Sequence, residues 1–76
     1  MKARPKTRNV ALGNVIAAAR VAANLTREQL AKKMGRSMSS ICEWELGDHG
    51  PRLDEVAKLA RILRVSPVEI VKAAAA

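Results

Sequence analysis

Between Thr26 and Gly47 the chain reads TREQLAKKMGRSMSSICEWELG, and the spacing within this stretch decides the fold. Thr26 and Gln29 stand at the separation of a reciprocal capping box, and Glu28 suits the positive start of a helix. Leu30, Ala31 and Met34 form the stripe that this helix buries. Gly35 stops it, because glycine takes the left-handed conformation without a Cβ clash. Ser37 is the next N-cap candidate and opens a helix that runs to about Leu46 and stops at Gly47. On a wheel of about 100° per residue, Ser40, Ile41, Trp44 and Glu45 share one face of that helix. Met38, Ser39, Cys42, Glu43 and Leu46 share the other. The face with Ile41 and Trp44 must be the buried one, which leaves the short, mostly polar face free.

Working outward, Val10, Leu12, Val15, Ile16, Ala19, Ala22 and Ala23 follow the i, i+3, i+4 pattern of a preceding helix. Asn24, a tolerable left-handed residue, is its expected end. Downstream, Gly47-Asp48-His49-Gly50-Pro51 is a loop by composition. Leu53, Val56, Ala57, Leu59, Ala60 and Leu63 define a fourth helix. Ser66-Pro67-Val68-Glu69 opens a fifth, with Pro at the first helical position and Glu three residues after the capping Ser. The expected fold is therefore all-α, a compact five-helix domain over residues 9–72. A flexible basic arm precedes it over 1–8, and a short Ala tail, an extension or a frayed end, follows over 73–76.

Composition narrows the function. Fourteen Lys and Arg against seven Asp and Glu give a net charge of +7, which points to a polyanionic partner, nucleic acid ahead of an anionic membrane surface. Lys2, Arg4, Lys6 and Arg8 precede the first apolar run, and no acidic residue occurs before Glu28. Such an arm adds phosphate contacts or serves only as a solubilising tail. Hydrophobic residues make up 49% of the chain, yet there is one Trp and no Tyr or Phe, so stacking platforms for single-stranded RNA are missing. The lone Cys42 cannot form an internal disulfide, and with one Cys and one His no zinc site is expected. Cys42 reads as a space-filling residue and His49 as a loop residue. The basic, Ala-rich start imitates a targeting signal, but Gly13, Asn14 and Arg20 interrupt its apolar segment. A cytoplasmic, nucleoid-associated protein without a cofactor, a membrane span or an evident small-molecule ligand is the expectation. No nucleophile with a matching base, paired carboxylates or phosphate loop supports an enzyme.

Two short helices joined by a tight glycine turn, the second with a free polar face, meet the physical specification of a helix-turn-helix. Ala31 keeps the first helix close to the second, Gly35 supplies the positive φ, and Ile41 is the anchor. Here the sequence resembles the Xre-type (Cro and phage-repressor) family. The residues that carry the resemblance are Thr26 to Ala31, Met34-Gly35, Ser37, Ser39-Ser40-Ile41 and Trp44-Glu45-Leu46-Gly47. It continues through Pro51, Leu53, Lys58-Leu59-Ala60 and Val65-Ser66, covering roughly residues 10–72.

The resemblance implies a lambda-repressor-like five-helix fold, often dimeric, with the third helix in the major groove of double-stranded DNA. It places base reading on Met38, Ser39 and Glu43. Phosphate contacts then fall to Thr26, Arg27, Arg36 and Ser37, with Lys2, Arg4, Lys6 and Arg8 from the arm. Arg27 stands where the family usually has Gln, and Arg36 stands where an apolar residue is common, so Arg36 is expected to lie outward. Met38 either contacts a thymine methyl or covers the turn. Arg20 and Glu45 match a family salt bridge between the first and third helices, and Glu45 lies on the inward face of the wheel.

The function implied is a transcriptional regulator, a repressor of phage-like or bacterial type on a near-palindromic operator. Its two copies are expected to pair through the C-terminal helices, where Val68, Ile70 and Val71 offer apolar surface. The competing reading is an antitoxin-like interaction module whose helix-turn-helix binds a protein partner and autoregulates.

Overall fold

The computed structural model describes residues 8–75. They form five helices: α1 (Val10–Ala22), α2 (Arg27–Met34), α3 (Met38–Leu46), α4 (Leu53–Leu63) and α5 (Pro67–Ala74). The local signals explain the boundaries. Thr26 Oγ1 accepts from the Gln29 N–H at 3.0 Å, while Gln29 Oε1 accepts from the Thr26 N–H at 2.8 Å, which closes the box at the start of α2. Gly35 has φ +71°, and the Arg36 N–H behind it donates to the Ala31 carbonyl at 2.9 Å. Asn24, at φ +66°, ends α1 in the same way, with the Leu25 N–H donating to the Arg20 carbonyl at 3.1 Å.

The core is a single cluster. Leu12 and Ile16 of α1, Leu30, Ala31 and Met34 of α2, and Ile41 and Trp44 of α3 meet Leu59, Ala60 and Leu63 of α4 and Ile70 of α5. α3 packs on both α1 and α2, while α5 closes the far side against α1 and α4. The approach of α1 to α3 depends on Gly13: a Cβ there would lie 2.3 Å from the Glu45 carbonyl oxygen. Asn9 then ties three helix ends together. Its Oδ1 accepts from the Leu12 N–H, its backbone N–H donates to the Gly47 carbonyl, and its Nδ2 donates to the Ala74 carbonyl.

Several expectations change here. Leu53 is 87% exposed, because it opens α4 and the first turn of that helix overhangs the core edge. Val10 is exposed for a similar reason, since it starts α1 roughly half a turn away from Leu12 and Ile16. Ala22 and Ala57 are also exposed. Ala73 and Ala74 belong to α5, and Ala73 packs against the core, so the helix runs past the expected tail boundary. Arg8 pairs its Nε with Asp48 Oδ1 at 2.8 Å, so the folded body begins one residue earlier than the sequence suggests. That contact is ionic without hydrogen-bond alignment, and Asp48 Oδ1 therefore has no hydrogen-bond donor. At α5 the Ser66 hydroxyl accepts from the Val68 N–H, and Glu69 sends its own N–H to the Ser66 carbonyl. At Arg64 the chain turns at φ +60°, a left-handed residue that no glycine or asparagine signals.

Candidate nucleic-acid interface

α3 begins at Ser37, whose Oγ accepts from the Ser40 N–H at 3.2 Å and lies 3.1 Å from Ser40 Oγ. Ile41 and Trp44, fully buried, seat the helix against the core. That leaves Met38, Ser39 and Glu43 exposed along one side, with Cys42 half-buried between them and Leu46 exposed at the far end. Ser39 and Glu43 stand one turn apart and are therefore neighbours on the helix surface. The surface so presented is one helix wide and carries one acceptor-only group, one hydroxyl and one apolar tip. Among the described residues Glu43 has no ion-pair partner within 4 Å, whereas Asp48, Asp54 and Glu55 each have one and Glu45 has two.

The cations around this surface are held in different ways. Arg20 Nε donates to Glu45 Oε2 at 2.5 Å, and Arg20 Nη1 reaches the Leu25 carbonyl at 2.8 Å, so α1, the α1–α2 link and α3 are joined. The Arg20 and Glu45 side chains are 12% and 5% exposed. Arg27 Nε takes the other oxygen of the same carboxylate at 2.8 Å. The hydrogen bond to Glu45 and the charge of that carboxylate raise the Arg27 guanidinium pKa above its ordinary value. No pattern in the sequence signals this contact, because 18 residues separate the partners.

Arg36 does not extend outward. Its guanidinium lies 5.6 Å from the centroid of the Trp44 ring, and Nη1 is 3.3 Å from Glu55 Oε2. A buried indole face and a carboxylate together outcompete water for that cation. Glu55 uses its other oxygen, Oε1, to accept from the Arg52 N–H at the start of α4 at 2.8 Å. Thr26 and Ser37 both use their oxygens as helix caps; the Thr26 hydroxyl proton stays available to an acceptor, whereas the Ser37 hydroxyl also shares a hydrogen bond with Ser40 Oγ. Arg8 is drawn to Asp48 beside the end of α3. Lys2, Arg4 and Lys6 lie outside the described residues.

Two short helices set by a left-handed glycine, the second anchored by Ile41 and Trp44 and exposing a narrow polar side, define a helix-turn-helix DNA-binding module. The chain belongs to the helix-turn-helix family, whose pattern matches residues 16–70.

Solved structures agree. The restriction-modification controller protein C.AhdI from Aeromonas hydrophila is 31% identical and superposes with a TM-score of 0.74. The match covers 82% of this chain and 94% of that one. The clp gene regulator ClgR from C. glutamicum shares the fold at 24% identity and a TM-score of 0.75, over 95% of this chain and 92% of its own. A hypothetical transcription factor from Neisseria, NHTF, shares it at 19% identity and a TM-score of 0.74, over 91% and 84%. No curated protein matches the sequence. Among the described residues, no helix is long and apolar enough to cross a membrane.

Proposed function

We propose that the protein is a sequence-specific repressor that lays α3 in the major groove of double-stranded DNA and acts as a homodimer on a near-palindromic operator. The observation that carries this reading is the exposed side of α3, where Met38, Ser39 and Glu43 project from a helix whose opposite side is locked by Ile41 and Trp44. A rigid, single-helix surface fits a groove about 12 Å wide. Met38 offers an apolar contact to a thymine methyl, Ser39 donates or accepts, and Glu43 accepts from a cytosine or adenine amino group. Thr26, Arg27 and Ser37 flank this surface at the starts of α2 and α3, where unpaired helix N–H groups favour phosphate. Arg36 reaches a phosphate only by leaving Glu55, so its share of affinity is smaller than that of Arg27. Lys2, Arg4 and Lys6 add further phosphate contacts from the arm, and Arg8 joins them only by leaving Asp48. The likeness to a restriction-modification controller supports a regulatory role.

Pairing of two copies rests on α5. Val68 and Val71 are 60% and 50% exposed, and Leu53 shares with Val71 the lining of a groove of about 310 Å³ that Leu12 and Ile70 also line. Ile70 itself is buried and belongs to the core, so Leu53 takes the place in the pairing face that the pattern of α5 assigns to Ile70.

Selection of bound duplexes from a random pool, followed by footprinting and sedimentation of the complex, tests the reading. A symmetric site is expected, with half-site centres about 10 bp apart and two chains per duplex. A footprint over a single half-site with one chain bound overturns the dimer. Failure to select any sequence overturns specific binding.

A further inference from the structure

The carboxylate of Glu45 carries two guanidiniums: Arg20 Nε on Oε2 and Arg27 Nε on Oε1. The inner pair is largely withdrawn from water, whereas the side chain of Arg27 is 53% exposed. Arg20 already neutralises Glu45, so two cations on one anion leave an uncompensated positive charge, and it sits on the outer member. Because Arg27 spends Nε on Glu45, its remaining donors are those of the two terminal nitrogens. That end of a guanidinium can take a phosphate through two parallel hydrogen bonds. A lysine in the same place has a single ammonium, which cannot be gripped on one side and present a planar fork on the other.

We propose that Glu45 is a positioning residue for DNA binding: it grips Arg27 through Nε and thereby presents the two terminal nitrogens to one phosphate at the start of α2. The inference rests on the reading of Arg27 as a phosphate contact. The physical gain is preorganisation. A long side chain loses rotamer freedom when it closes on a ligand, and a grip formed in the free protein removes much of that loss from the binding step. Repulsion between Glu45 and the incoming phosphate is offset by Arg20, which faces the same carboxylate from the protein side.

The test uses the full chain and a selected duplex, titrated at several salt concentrations and at a temperature where circular dichroism shows each variant folded. The set is wild type, Arg27→Gln, Arg27→Lys, Glu45→Gln and the Arg27→Gln/Glu45→Gln double variant. Arg27→Gln should weaken binding about tenfold and lower the salt slope by about one per subunit. Arg27→Lys should keep the slope yet lose most of the same affinity, because the charge survives and the fork does not.

Glu45→Gln should weaken binding when Arg27 is present and leave it unchanged in the Arg27→Gln background. A merely structural Glu45 weakens binding equally in both backgrounds, and that result overturns the proposal. Tighter binding by Glu45→Gln overturns it too, by showing that the carboxylate withholds Arg27 from DNA. If Glu45→Gln does not fold, Arg27→Lys decides alone: affinity equal to wild type refutes the gripped fork. Unchanged binding by Arg27→Gln refutes the phosphate contact but leaves DNA recognition standing, whereas a wild type that selects no duplex overturns both.

Discussion

Gly13→Ala separates two effects of opposite sign. In the interior of α1, alanine is favoured over glycine by about 1 kcal/mol from helix propensity alone. Against this stands the seam between α1 and α3. A Cβ on residue 13 would lie 2.3 Å from the Glu45 carbonyl oxygen, 2.8 Å from the carbon and 3.1 Å from the Gly47 nitrogen. Ordinary contact is about 3.5 Å or more, so the helices must part by roughly 1 Å. All three obstructing atoms are backbone, and none can swing aside as a side chain can. Overpacking of this kind costs about 2–3 kcal/mol, which leaves a net loss of about 1–2 kcal/mol after the propensity gain. For a domain of this length the melting temperature should fall by about 5–15 °C.

Because the displaced atoms belong to the end of α3, affinity for the selected duplex should fall as well. Thermal denaturation followed by circular dichroism is the assay, with Gly50→Ala as control. The Cβ in that variant meets only the side-chain Cδ2 of Leu12, at 3.1 Å, and should change stability by less than about 1 kcal/mol. A Gly13→Ala protein as stable as wild type would refute the argument that backbone contact sets the position of α3.

Other perturbations probe the remaining contacts. Glu45→Gln or Arg20→Met removes one member of a pair that is 5% and 12% exposed, and each should destabilise by roughly 3 kcal/mol. Urea denaturation measures this, and a double-mutant cycle without coupling would reject the pair. Arg64→Gly relieves a left-handed residue at φ +60° and should raise stability by about 1 kcal/mol; a lower melting temperature would show that the side chain matters more than the backbone. Glu43→Ala should relax preference at one base pair per half-site and cost about 1–3 kcal/mol on the cognate duplex. Equal changes on all four duplexes that differ at that pair would take Glu43 off the list of readers. Deleting residues 2–7, which carry Lys2, Arg4 and Lys6, should weaken binding and flatten its salt dependence without unfolding the domain. An unchanged slope would leave the arm without a role.

The helix ends and the two sides of α3 were legible in the sequence because their causes are local. A capping box, a left-handed glycine and a period of about 3.6 residues all act within four or five positions along the chain. Thr26 with Gln29, Gly35, Ser37 and the inward pair Ile41 and Trp44 therefore declare α2, the turn and α3 directly. The same local logic leaves Met38, Ser39 and Glu43 on the open side. Periodicity marks a face, but it does not say where along the helix the core ends. Leu53 carries the right phase in α4 and still stands in solvent, and Ile70 is buried while Val68 and Val71 are not.

What the tertiary structure alone decided is which charges and backbones meet across long loops. Arg27 and Glu45 are 18 positions apart and Asn9 and Ala74 are 65, and a sequence holds no period that links them. Arg36 turned inward because the folded chain placed the Trp44 ring and Glu55 within its reach, although residue type and position alone pointed it outward. Gly13 reads as a weak point in a helix until α3 is seen lying against it. Ion pairs and close backbone approaches are properties of distance in space, and that distance is set only when all five helices have packed on Ile16, Leu30, Ile41, Trp44, Leu59 and Ile70.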